Sequence, residues 1–392
     1  MPGEILDIDN LNDIIKPKGK VRVELFDCYG KKRYEQKANN FISQGVLKHY
    51  FKRCLLDTWL GNVMKSKRAT ALFGSNMFYQ IVLTTAAHQE DPINEWVVRG
   101  QKTGYALTYS ASSSSAPLSG TLNVGESYVN LNQAHLVFDF PTDRGNGTFR
   151  SIYFIPDYSS MYDTYTYERI IYNKELLKIE KIGTIFYAYE PYNRLLHTMN
   201  ESFNITASVA IPSSIGTVLD FTIKGSEIFY ITSSYAVFKA PLSSPNSTTK
   251  VKDTQRRYTG MAWVAEENRF YCAYENGNYQ TILDYFDASF NILGSYTYTI
   301  FSKNTVGEGL LKENNGFIRG YAFLDRDSMH ANQIADGAST VIGTFDDKLV
   351  LNNYDDNYIA QKINFGSRCL LSEPVVMTSA DTMKITYDFY FQ

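Results

Sequence analysis

The chain carries only four cysteines in 392 residues, Cys28, Cys54, Cys272 and Cys369, and no two stand in a C-x-x-C pair. That spacing argues against a disulfide framework or a cysteine zinc site and points to reduced thiols packed as small hydrophobes. Charge is scarce as well: Asp, Glu, Lys and Arg make up 20% of the residues, and the net charge is −3. A nucleic-acid binder needs a basic surplus to neutralise phosphates, so no nucleic-acid partner is expected. No apolar run reaches the roughly 18 residues of a membrane span, so no membrane partner is expected either. The opening Met1-Pro-Gly-Glu-Ile-Leu-Asp7 lacks the basic-then-apolar pattern of a signal peptide. The expectation is a protein made in the cytoplasm and not exported by that route.

Catalytic signatures are missing too. There is no G-x-S-x-G elbow, no H-E-x-x-H, no P-loop and no G-x-G-x-x-G. The five histidines, His49, His88, His135, His197 and His330, are far apart without metal spacing. No catalytic residue, metal or cofactor is therefore assigned.

What the chain has in abundance is aromatic residues, with 30 Tyr and 24 Phe. These favour strands and, where exposed, rigid binding surfaces. The clearest strand is the last. In Asp381-Thr-Met-Lys-Ile-Thr-Tyr-Asp-Phe-Tyr-Phe-Gln392, Met383, Ile385, Tyr387, Phe389 and Phe391 fall on one side, and Lys384, Thr386 and Asp388 on the other. A period of two marks a strand with one buried face. Its expected partners lie near the start, where Val21, Val23 and Leu25 alternate in the same way.

The pattern predicts a mainly β protein: a β-rich platform with one long helix, built from both chain ends, and an inserted propeller-like module. Residues 1–20 are polar and irregular and read as an arm. Residues 21–150 plus 365–392 read as the platform, and residues 151–364 as the module. The helix is expected from Phe41 to Leu60, where Ile42, Val46, Leu47, Tyr50, Phe51, Leu55 and Trp59 recur at helical steps. Leu136, Phe138 and Phe140 alternate in a further strand and are left open to solvent or a partner. Beyond residue 150 a polar turn followed by an apolar strand returns at roughly 30- to 47-residue intervals, the range of propeller blades. Examples are Gly225-Ser-Glu-Ile-Phe-Tyr-Ile-Thr232 and Glu267-Asn-Arg-Phe-Tyr-Cys-Ala-Tyr274. The repeat fits roughly four to six blades. A non-repeating sandwich or an irregular β-domain is the alternative.

Carboxylates are plentiful in the module, Asp220 and Asp284 among them, and a glycosidase needs two across a cleft. Asp325-Arg-Asp327 and Asp355-Asp-Asn357 lack calcium-loop spacing and read as turn residues. The tyrosines Tyr158, Tyr162, Tyr165 and Tyr167, with Trp263, are the candidate ligand-binding residues, because sugar rings present apolar faces to aromatic platforms. The same tyrosines also read simply as strand filler.

Three segments carry a resemblance. Val21-Arg-Val-Glu-Leu-Phe-Asp-Cys-Tyr-Gly30 followed by Lys37-Ala-Asn-Asn-Phe-Ile-Ser43, then Gly147-Thr-Phe-Arg-Ser-Ile-Tyr153, and then Glu373-Pro-Val-Val-Met-Thr-Ser-Ala-Asp-Thr-Met-Lys-Ile-Thr-Tyr387 resemble virion proteins of tailed bacteriophages of low-GC Gram-positive hosts. The resemblance implies a tail-fibre, receptor-binding, collar or baseplate protein located in the virion. It implies a homo-oligomer, usually a trimer, with other tail, collar or baseplate proteins and a host cell-wall glycopolymer as partners. The expected function is non-covalent attachment to the host surface. The alternatives are a purely architectural tail or collar component and a polysaccharide-degrading propeller enzyme.

Overall fold

A computed structural model describes residues 18–42, 80–91, 96–108, 116–129, 133–155, 162–171, 174–276, 280–299, 309–334, 340–353, 356–362 and 367–390. The chain divides into two compact units, residues 1–161 with 363–392, and residues 162–362.

The first unit begins with β1 (Lys18–Phe26), β2 (Lys32–Ile42), β3 (Gln80–Thr84), β4 (Lys102–Leu107), β5 (Thr121–Leu122), β6 (Tyr128–Val129), β7 (Gln133–Phe140) and β8 (Gly147–Ile155). After twenty strands of the second unit the chain returns to it with β29 (Ser367–Met377) and β30 (Thr382–Tyr390). The ten form one sheet in the order β4-β3-β8-β29-β2-β1-β30-β7-β5, with β6 on β7. The alternating residues set the register. Val21 lies opposite Tyr387, Val23 opposite Ile385 and Leu25 opposite Met383. These in turn face Leu136, Phe138 and Phe140 across β7. All nine side chains are buried in one core, since a one-residue slip would turn every one of them outward. The sheet curls until its two ends meet. The Tyr105 N–H of β4 donates to the Leu118 carbonyl at 2.9 Å, and the Gly120 N–H donates to the Tyr105 carbonyl at 2.8 Å, just ahead of β5.

Several expectations are corrected here. Leu136, Phe138 and Phe140 face neither solvent nor a partner; they are core residues. Phe41 and Ile42 do not open a helix. They end β2, paired with Arg368 and Ser367 of β29. The long helix is not seen among the described residues, and the rest of its expected span lies outside them. Lys18 to Lys20 belong to β1 rather than to an arm. The expected boundary at residue 150 falls inside β8, in the first unit.

The second unit is a five-bladed propeller. Its strands are β9 (Tyr162–Ile171), β10 (Lys178–Ile182), β11 (Ile185–Glu190), β12 (Leu195–Met199), β13 (Ile205–Ala210), β14 (Val218–Lys224), β15 (Glu227–Thr232), β16 (Ala236–Pro241), β17 (Thr249–Asp253), β18 (Gly260–Val264), β19 (Arg269–Glu275) and β20 (Gln280–Phe286). They continue as β21 (Ile292–Thr299), β22 (Leu311–Glu313), β23 (Gly316–Arg319), β24 (Ala322–Asp325), β25 (His330–Gln333), β26 (Thr340–Phe345), β27 (Lys348–Asn353) and β28 (Asp356–Lys362). Blade 1 is β10 to β13, blade 2 is β14 to β17, blade 3 is β18 to β21 and blade 4 is β22 to β25. Blades 3 and 4 are joined by one parallel pairing, Thr299 with His330. Blade 5 is β26, β27 and β28 with β9 as its outermost strand. The unit's first strand thus hydrogen-bonds to its last, and this closes the ring. The innermost strands β10, β14, β18, β22 and β26 each touch the next, and β26 touches β10.

Local sequence explains the turns. The turn from the first to the second strand of each blade contains a left-handed residue: Gly183, Gly225, Asn268, Asn314 and Asp346. These are the residue types that tolerate positive φ. Apolar layers fill the space between blades. One of them sets Leu219 and Phe229 of blade 2 against Met261 and Phe270 of blade 3.

A second repeat joins the third strand to the fourth. Asn200-Glu-Ser-Phe-Asn204 in blade 1 matches Asp287-Ala-Ser-Phe-Asn291 in blade 3. In each, the leading side-chain oxygen accepts two backbone N–H bonds, from Ser202 and Asn204 and from Ser289 and Asn291. The turn holds Phe203 and Phe290 at φ 58° and 59°. Each ring then stacks on the Phe of its own second strand, Phe186 at 4.5 Å and Phe270 at 4.2 Å.

Candidate functional site

The centre of the ring is closed by charge. Lys178 starts β10, and its ammonium donates to the carbonyls of Phe221 in blade 2 and Met261 in blade 3, both at 2.7 Å. It pairs with Glu180 at 2.8 Å and lies 3.6 Å from Asp220. Asp220 accepts from the N–H groups of Met261 at 2.6 Å, Leu310 at 3.0 Å and Phe221 at 2.8 Å. Both side chains are fully buried. Burial pushes the Asp220 carboxyl up to about 6, against the pull of the Lys178 ammonium and of the Met261 and Phe221 N–H groups. Four blades therefore meet on one ion pair whose hydrogen-bonding capacity is used internally.

Each seam between blades is also crossed by a specific contact. Glu180 accepts from the Ile223 N–H at 2.8 Å between blades 1 and 2. Arg326 pairs with Glu267 between blades 3 and 4. Lys362 pairs with Glu313 at 3.0 Å between blades 4 and 5, and Lys181 with Asp346 at 3.3 Å between blades 5 and 1. Between blades 2 and 3 the Lys224 ammonium lies 4.5 Å over the Trp263 ring.

Blade 1 carries a chain of three polar groups. The His197 Nε2 is 2.8 Å from Glu190 Oε2, and its Nδ1 is 2.8 Å from Ser208 Oγ. His197 and Ser208 are direct cross-strand partners. Glu190 also accepts from Lys174 at 2.7 Å and from Asn193. Burial alone would raise the Glu190 carboxyl, but the bonds from Lys174, His197 and Asn193 outweigh it and hold the group below the usual carboxylate range. Sequence reading missed this chain because its members are brought together by strand pairing, not by spacing.

The seam between blades 2 and 3 opens into a pocket of about 240 Å³. Its lining includes the aromatic rings of Tyr258, Phe286 and Phe290 and the polar residues Asp253, Gln255 and Arg256. Behind the pocket Asp284, fully buried, accepts from Tyr258 at 2.5 Å and Arg256 at 2.8 Å. Arg256 also donates to the Tyr274 hydroxyl at 2.5 Å and lies 4.9 Å over that ring. Burial, then the bond to Asp284, pushes the Tyr258 phenol up, so it stays a protonated donor. Arg256 is thereby fixed with its charge balanced.

The residues expected to form the site are scattered. Tyr158 lies outside the described residues. Tyr162, Tyr165 and Tyr167 fall in β9, the outermost strand of blade 5. Trp263 lies in β18, the innermost strand of blade 3, partly buried against Phe270 at 4.6 Å under Lys224. Asp220 and Asp284, weighed as acids of a cleft, are each buried and engaged with neighbouring donors. Among the described residues no group of three or more His, Cys, Asp or Glu is placed to hold a metal ion.

No family model and no curated protein sequence matches the chain. Solved structures match about half of it. Glutaminyl cyclase of Myxococcus xanthus matches at a TM-score of 0.37 and 9% identity, over 53% of this chain and 95% of that one. The Pan2 WD40 domain of Neurospora crassa matches at 0.31 and 11%, over 52% and 77%. A nidogen/laminin complex matches at 0.33 and 11%, over 53% and 86%. At these values the matches carry nothing about activity.

Proposed function

We propose that the chain is a structural protein of a tailed-phage virion, in its tail, collar or baseplate, and that its propeller attaches the particle to a host cell-wall glycopolymer without covalent chemistry. The observation that carries the reading is the propeller's division of labour. The buried charges at its axis are taken up in holding the ring, and the open pocket between blades 2 and 3 sets exposed polar side chains beside aromatic and aliphatic ones. That combination suits a binding surface. The resemblance of the first unit's segments to virion proteins supports a place in a particle, as a homo-oligomer with a trimer favoured. Several copies would turn weak single sites into firm attachment.

The test is co-sedimentation of the full chain with Gram-positive cell walls, with and without their anionic glycopolymers. Saturable binding lost with the polymers is the expected result. A folded oligomer that binds no wall would leave the purely architectural role, checked by whether the propeller is covered in the assembled particle. A second reading, an enzyme acting on such polymers, is favoured by one observation, the Ser208–His197–Glu190 order of nucleophile, base and acid. Labelling of Ser208 by a fluorophosphonate probe, abolished in His197→Gln, would support it.

A further inference from the structure

We infer that Ser208 of blade 1 is the nucleophile of a shallow esterase site, one that accepts small acyl groups such as acetyl from carboxylic esters and not from amides. The inference rests on the enzyme reading of the Ser208–His197–Glu190 chain and narrows it to one class of bond.

Strand register builds the site. In the antiparallel pairing of β12 with β13, His197 lies directly opposite Ser208. The Ile211 N–H donates to the Arg194 carbonyl at 2.8 Å, and ladder bonds recur at every second residue. His197 and Ser208 are therefore a non-hydrogen-bonded pair, the kind whose side chains approach most closely. The distance of 2.8 Å from Nδ1 to Oγ follows. The same parity turns the Ser208 backbone N–H away from β12. Because β13 is the last strand of its blade, that N–H lies on an open edge among the described residues.

The polar groups are ordered for one direction of proton transfer. Glu190 is 3% exposed and His197 1%. Bonds from Lys174 and Asn193 keep the Glu190 carboxyl charged, and it accepts from the His197 Nε2–H at 2.8 Å. That leaves the Nδ1 lone pair facing the Ser208 hydroxyl. Ser208 itself is exposed, on a strand, Ile205-Thr-Ala-Ser-Val-Ala210, that carries no charged residue. A neutral acyl group can reach its Oγ.

The reaction balances within these groups. Ser208 Oγ bonds to the ester carbonyl carbon while His197 Nδ1 takes the hydroxyl proton, and the carbonyl oxygen becomes an oxyanion beside the Ser208 N–H. The C–O bond to the alcohol then breaks, and His197 returns the proton to the leaving oxygen. Water, deprotonated by His197, releases the acyl group as a carboxylic acid. Each oxyanion donor is worth about 100- to 1,000-fold in rate, and the strand edge supplies one. That is enough for an ester, whose carbonyl is not stabilised by nitrogen, and too little for an amide. An exposed edge has no walls to hold a long acyl chain, so the acyl group is small.

The experiment incubates the full chain with p-nitrophenyl acetate, p-nitrophenyl octanoate and p-nitroacetanilide, and follows product release and the acetylated peptide by mass spectrometry. Turnover of the acetate ester ahead of the octanoate, none of the anilide, and an acetyl group on Ser208 are expected. Ser208→Ala changes an exposed side chain and should keep the parent Tm, yet it should lower the acetate rate about 100-fold, and His197→Gln by a similar factor. An acetate rate unchanged in Ser208→Ala, cleavage of the anilide, or faster turnover of the octanoate would each overturn the inference. Fluorophosphonate labelling separates it from the enzyme reading. Ser208 labelled without ester turnover leaves the nucleophile and removes the esterase; neither label nor turnover removes both.

Discussion

Replacing Lys178 by methionine should loosen the propeller more than any change of equal size on its surface. The side chain is 1% exposed, and its length is nearly kept in Met, so the loss is that of the ammonium. Two blade carbonyls, of Phe221 and Met261, then lose their donor, and Glu180 and Asp220 lose their countercharge. Removing one partner of a buried pair costs about 3–5 kcal/mol. Part of this is offset because Asp220 keeps its three backbone donors. In a unit of this size each kcal/mol moves Tm by roughly 2–4 °C, so a fall of about 10 °C is expected by calorimetry. The pH dependence gives a second readout. Asp220 is raised to about 6 in the fold, against about 3.9 in the unfolded chain. Between those values the folded state binds the extra proton, so this group's contribution to stability rises as pH falls from 6 to 4, by about 3 kcal/mol. Without the opposing ammonium the window should extend above pH 6 in Lys178→Met. In Asp220→Asn it should vanish. A Tm change within 2 °C of the parent, or identical pH profiles in all three proteins, would refute the account of the hub.

Other outcomes follow from the same geometry. Glu190 is held below the usual range, so its contribution is present above its unfolded pKa of about 4.3 and is lost as pH falls through the lower folded value; urea melts of Glu190→Gln should show that acid loss reduced. Phe290→Ala and Phe203→Ala remove stacked rings of the same turn and should each cost about 3–5 kcal/mol, whereas Tyr192→Ala, 90% exposed, should stay within about 0.5. Ile385→Asp buries a charge between Val23 and Phe138 and should cost more than about 4 kcal/mol; limited proteolysis should then cut residues 18–42 before any part of the propeller.

The strand alternation of the chain's end was legible because a period of two is a local property, and Met383, Ile385, Tyr387 and Phe389 are buried as it requires. Opposite them, Thr386 is buried too, which the alternation does not anticipate. The turn-then-strand recurrence was legible for a similar reason: each blade needs a residue tolerant of positive φ at its first turn, and Gly225 and Asn268 advertise it. The Asn200-Glu-Ser-Phe-Asn204 and Asp287-Ala-Ser-Phe-Asn291 repeat was equally available and marks blades 1 and 3. At Phe41 and Ile42 helical periodicity misled, because pairing with Arg368 and Ser367, more than 300 residues away, overrode local preference.

The sequence by itself determined the mainly β class, the joining of the two chain ends and the recurrence of blades, since each rests on periodicity and turn chemistry within a few residues. Only the tertiary structure decided the five-blade count, the closure of blade 5 by β9, the inward facing of Leu136, Phe138 and Phe140, and the meeting of Lys178 with Asp220. It alone also placed Arg256, Asp284 and Tyr258 together behind one pocket. The physical reason is that strand pairing and blade packing join residues tens to hundreds of positions apart, and no local pattern records which distant partner satisfies a buried charge.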